Sequence, residues 1–81
     1  MRARVKLCLG EAARSVYGSL AAEVAQGGPA KGDVEVLIEG KCVIVAVSAE
    51  SISGLRALVN SYLLLAHAAY SAVVESKPAN V

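Results

Sequence analysis

Eighty-one residues make one small domain, 56% hydrophobic yet only 4% aromatic, with three Tyr and neither Phe nor Trp. A chain of that size buries about 60–65% of its unfolded surface. A core of Ala, Val and Leu removes less area per residue than one with rings, so another protein is expected to cover part of the surface. Eight basic against seven acidic residues give a net charge of +1, which excludes a broad polybasic nucleic-acid binder. One His and two Cys are too few for an ordinary zinc site. No cofactor is implied, and the composition points to an interaction subunit rather than an enzyme.

The N-terminus alternates charged with apolar residues and has no continuous apolar run, so it reads as a strand and not as a signal peptide. Ala3, Val5, Leu7 and Leu9 form one face of this first strand and Arg2, Arg4, Lys6 and Cys8 the other, with Gly10 ending it. Over residues 11–26 the period becomes helical, placing Ala13, Val16, Tyr17, Leu20, Ala21 and Val24 on one face. The stretch 27–32, rich in glycine and containing Pro29, stops that helix. Val34, Val36 and Ile38 then alternate with Asp33, Glu35, Leu37 and Glu39 as a second strand. Gly40 and Lys41 suit a tight turn, from which residues 42–47 return as a third strand. Serines between 48 and 53 offer helix caps, and a long helix follows to about Glu75. Residues 1–75 are read as a single domain and 76–81, with Pro78, as a flexible tail.

Both helices fall on one side of the sheet if the first strand lies beside the third. The predicted fold is therefore a two-layer α+β domain, β-α-β-β-α, with a three-stranded antiparallel sheet in the order 1-3-2. The long helix contains a segment, 57–74, with no charged residue and a length that can span a bilayer. Arg56, Asn60, His67, Ser71 and Glu75 nevertheless recur along one side of it, a polar stripe that a lipid-facing helix does not need. A soluble, cytoplasmic chain with no membrane partner is expected.

The sheet face away from the helices has Arg2, Arg4 and Lys6 along one edge and Asp33, Glu35 and Glu39 along the other. Between them come Cys42, Ile44 and Ala46, with Leu37 nearby, where an ordinary half-exposed sheet would be polar. A second copy, or a similar small subunit, laid over this face or added at its edge would cover the apolar strip. It would also bring each basic row near the other's acidic row. The plainer alternative is that these charges solubilise and protect the edges.

Little else in the chain carries chemistry. The loop 27–32 superficially resembles a phosphate cradle, but it joins a helix to a strand, the reverse of such loops. Cys8 and Cys42 come side by side on one face in the predicted strand order, so a cross-strand disulfide is geometrically conceivable. Intracellular thiols are normally reduced, and two free, mostly buried thiols are expected. His67 has no Cys, Asp or Glu one turn away, and no catalytic constellation can be assembled. The helices are more informative. The outer side of the first carries Ser15, Gly18, Ser19, Ala22 and Ala25, small residues that let another helix approach. On the long helix Leu55, Leu58, Tyr62, Leu65, Ala66, Ala69 and Val73 span more of the circumference than one sheet covers. A groove between the helices that receives partner helices is the expectation.

Leu55-Arg56, followed by Asn60-Ser61-Tyr62-Leu63, resembles the last-helix signature of the small dimerising subunit of the KEOPS/EKC complex, the Pcc family, related to the LAGE/CTAG proteins. The resemblance covers nearly the whole chain. It implies a non-catalytic scaffold that dimerises and whose helices bind the ATPase-fold catalytic subunit of a complex that makes threonylcarbamoyladenosine in transfer RNA. Family members commonly carry Arg directly after this motif, where Leu64 stands here. A divergent paralogue that pairs with an ordinary family member and caps it is therefore an alternative. A stand-alone RNA-binding module of KH type lacks its Gly-x-x-Gly loop between helices. If transfer RNA is touched within the complex, Arg2, Arg4, Lys6, Arg14 and Lys41 are the candidates.

Overall fold

A computed structural model describes residues 1–26 and 32–75. Strand β1 (Arg2–Cys8) is followed by a single 3-10 turn (Gly10–Ala12), helix α1 (Ala13–Ala25), strands β2 (Gly32–Glu39) and β3 (Cys42–Ala49), and helix α2 (Ile52–Glu75). The sheet order is β1-β3-β2 with both pairings antiparallel, as the alternation predicts. The tail 76–81 and most of the glycine-rich stretch lie outside the described residues.

β3 is the central strand, and its Val43, Val45, Val47 and Ala49 form the floor of the core. Val16 and Leu20 of α1 and Leu58, Tyr62 and Ala66 of α2 close over them. No aromatic residue other than tyrosine is available to fill the layer, so close approach between backbones substitutes for large side chains. At Gly32 a Cβ would run into the Ser48 carbonyl oxygen and the Leu58 Cδ1, so only glycine lets β2 pass beneath α2 there. At the hairpin Gly40 takes φ +62, the left-handed value that a two-residue turn between twisted strands requires.

Two boundaries differ from the sequence reading. The helical pattern from residue 11 opens as a 3-10 turn, and the α-helix starts only at Ala13. Neither Leu9 nor Ala12 supplies a side-chain cap, and the Ala12 N–H instead donates to the Leu9 carbonyl at 3.2 Å. β3 runs two residues beyond 47, to Ala49, which pairs with Gly32 of β2 on one side and is hydrogen-bonded to Met1 on the other. The Ala49 N–H donates to the Met1 carbonyl at 2.9 Å, and the Met1 ammonium donates back to the Ala49 carbonyl at 2.8 Å. Ser51 is the serine that starts α2: its hydroxyl oxygen accepts from the Gly54 N–H at 3.0 Å.

Candidate functional site

The antiparallel register arranges the open face of the sheet in rows that cross all strands. Arg2 and Asp33 flank Ser48, and Arg4 and Glu35 flank Ala46. Farther along, Lys6 and Leu37 flank Ile44, and Cys8 and Glu39 flank Cys42. The basic edge, middle strand and acidic edge expected from the sequence are thus brought onto one surface. Two details change. Ile44 is only 3% exposed in the single chain, because its row neighbours Lys6 and Leu37 already enclose it. The apolar strip left for a partner shrinks to Leu37, 40% exposed, with half-buried Ala46 and Cys42. Cys8 and Cys42 are not free thiols but a disulfide, their Cα atoms 3.9 Å apart in register; Cys8 is exposed rather than buried.

Beside that bridge, Lys6 Nζ stands 3.7 Å from Glu39 Oε1, an exposed pair of little energetic weight. It is the one ion pair among the described residues. At the other end, the small side chains of Ala46 and Ser48 leave a depression of about 670 Å³, walled by Arg2 and Arg4 on one side and Asp33 and Glu35 on the other. The candidate RNA-contacting residues do not gather into one surface. Arg2, Arg4 and Lys6 lie on the open face and Lys41 in the hairpin turn, while Arg14 is on α1 in the other layer.

On the helix layer, Ser15, Gly18, Ser19 and Ala22 are all exposed, and a Cβ on Gly18 would meet nothing within 4 Å. Nothing in the chain itself calls for a glycine there. The α2 positions divide differently from the expectation. Leu58 and Tyr62 are buried in the chain's own core and unavailable to a partner, Leu55 and Ala69 are half-buried, and Leu65 is exposed. Of the motif residues, Arg56, Asn60, Ser61 and Leu63 face solvent. The Tyr62 hydroxyl has no hydrogen-bond partner among the described residues. Burial, aided by the charge of Glu23, raises its pKa above the usual tyrosine value.

A second apolar stripe escaped the sequence reading. Ile52, Leu63, Tyr70 and Val74 are exposed and Val59 half-exposed, at alternating intervals of seven and four that hold one flank of α2. That spacing was visible in the sequence, but it interleaves with the polar stripe of Arg56, Asn60 and His67 and reads as its fringe. Leu64, at 70%, is the most exposed of the large hydrophobic residues. By length and composition α2 could cross a membrane: mean hydropathy is 1.4 over a stretch of which only 17% is buried. Among the described residues no cluster of His, Cys, Asp or Glu could hold a metal ion.

A family model described as transcription factor Pcc1 matches residues 1–73. No curated protein matches the chain.

Proposed function

Because this chain belongs to the Pcc1 family, whose members are non-catalytic subunits of a multi-subunit complex of KEOPS type, we propose that it is a scaffold whose two helices hold the ATPase-fold catalytic subunit. In that role it supports threonylcarbamoyladenosine formation on transfer RNA in the cytoplasm. The observation that carries this reading is the pair of unpartnered surfaces on the helix layer. The apolar stripe of α2 from Ile52 to Val74 offers anchors at helical spacing, and the small-residue side of α1 allows close approach. Partner helices laid along both would cover the apolar area that this chain cannot bury itself. The polar side chains of Arg56, Asn60 and His67, exposed beside the stripe, suit the rim of a protein interface better than hydrocarbon.

Co-expression with the ATPase-fold subunit tests the proposal. Gly18→Leu or Ala22→Leu, and separately Leu63→Asp with Tyr70→Asp, are expected to lower capture of that subunit at least tenfold while leaving circular dichroism unchanged. All four positions are exposed, so the fold itself should tolerate them. Undiminished capture by both variants would place the interface elsewhere.

The exposure of Leu64 favours a second reading, a divergent paralogue that caps an ordinary family member. Leu64→Arg should then restore self-association or transfer-RNA binding measured by gel shift. If both are unchanged, Leu64 carries no specialisation.

A further inference from the structure

The Cys8–Cys42 bridge lies on the sheet face away from the helices, and its two ends differ. Cys8 is exposed on the edge strand β1, whereas Cys42 is half-buried on the central strand β3. The row across the three strands reads Cys8, Cys42, Glu39. Lys6 Nζ comes within 3.7 Å of Glu39 Oε1, so an ion pair stands on the Cys42 side of the bridge. Among the described residues no strand lies beyond Cys8.

A thiolate attacks a disulfide in line with the S–S bond, from the far side of the sulfur to which it bonds. For Cys42 that approach comes from β2, where Glu39 occupies the row and its carboxylate repels an anion. For Cys8 it comes from outside the β1 edge, on the exposed side of the bridge. Exposed disulfides are also more easily reduced than buried ones. The shape of the domain does not depend on the bridge. Neither cysteine belongs to the core cluster, and the β1–β3 ladder runs from Arg2 to Cys8. It continues past the bridge, where the Leu9 N–H donates to the Lys41 carbonyl at 2.9 Å.

We propose that Cys8–Cys42 is a thiol-exchange site, reduced in the folded chain by a protein dithiol that attacks Cys8. The first thiolate of the reductant bonds to Cys8 Sγ as the Cys8–Cys42 bond breaks, and Cys42 leaves as a thiolate that takes up a proton. The second thiol of the reductant, losing its proton, then attacks the reductant's own sulfur in the mixed disulfide and releases Cys8, which is protonated in turn. Two electrons pass: the reductant ends as a disulfide and the chain as a dithiol. Reduction unlocks the end of β1 and leaves the helix layer as it was. The site is independent of which subunit the helices hold.

The test mixes the native full chain with a thioredoxin-fold reductant whose second active-site cysteine is changed to serine, followed by an acid quench and mass spectrometry. A mixed disulfide is expected, at least tenfold more of it on Cys8 than on Cys42. Glu39→Ala, at an exposed position, should narrow that preference by opening the Cys42 side. With the intact dithiol reductant both cysteines should become open to alkylation while circular dichroism keeps the spectrum of the oxidised chain. Cys8→Ser/Cys42→Ser should show the same spectrum. Equal labelling of the two cysteines, a preference for Cys42, a preference undiminished in Glu39→Ala, a double variant that does not fold, or a bridge that opens only after urea unfolds the chain would each overturn the proposal.

Discussion

Tyr62 illustrates how a single residue can sit against the grain of its surroundings. The ring fills the core between α2 and the sheet at 3% exposure, yet its hydroxyl is buried without a partner. A stranded buried hydroxyl costs about 1–3 kcal/mol, and removing it while keeping the ring recovers part of that. Tyr62→Phe is therefore expected to raise the urea midpoint, by about 1 kcal/mol of stability. The pH dependence has a definite sign. Desolvation first, and the Glu23 carboxylate second, hold the folded-state pKa above the usual value. The contribution of Tyr62 to stability is thus complete below the unfolded-state pKa of about 10 and is lost as pH rises past it. The wild type should lose stability in that alkaline range more steeply than Tyr62→Phe. Equal profiles, or a destabilised variant, would mean that the hydroxyl has a partner after all.

Among the elements, β1 is, like β2, an edge strand with β3 as its one strand neighbour, and it is fastened at both ends. Met1 and Ala49 exchange two hydrogen bonds at one end, and the Cys8–Cys42 bridge closes the other. The bridge spans 34 residues of sequence, enclosing α1 and β2. By loop entropy it stabilises the fold by about 3–4 kcal/mol. A dithiol reductant should lower the urea midpoint of the wild type accordingly and leave a Cys8→Ser/Cys42→Ser variant unmoved. Quantitative alkylation of both cysteines without reductant would show that the bridge does not form. The exposure of Cys8 gives a reductant direct access, so the strand is firmly held only where thiols are oxidised. α2 has the opposite character: capped by Ser51 and buried at Leu58, Tyr62 and Ala66, it has no buried residue beyond Ala66. Its last turns are held less by the sheet than its first, and there Tyr70 and Val74 stand exposed.

At the scale of the molecule, the fold could be read from alternation alone. Two faces per strand and one core side per helix leave few ways to pair three short strands, and the order 1-3-2 is the one that puts both helices together. The same periodicities placed Cys8 beside Cys42, but covalent state depends on redox conditions that no pattern encodes. The burial of Ile44 was not readable either, because it depends on how Lys6 and Leu37 lie across a neighbouring strand. On α2 the sequence shows an apolar arc broader than one sheet covers, but of the positions it offers to a partner Leu58 and Tyr62 close the chain's own core. The outward positions, Ile52, Tyr70 and Val74, were hidden beside the polar stripe. A domain so arranged has more apolar helix surface than its own sheet can cover, which is the physical basis for the scaffold reading.

The most direct test of that reading is affinity purification of the full chain from its native organism, with the bound proteins identified by mass spectrometry. Recovery of an ATPase-fold threonylcarbamoyl transferase subunit is expected, and its loss when Leu63→Asp and Tyr70→Asp are introduced together. Recovery of this chain alone, or a catalytic subunit retained in full by that variant and by Ala22→Leu, would contradict that reading.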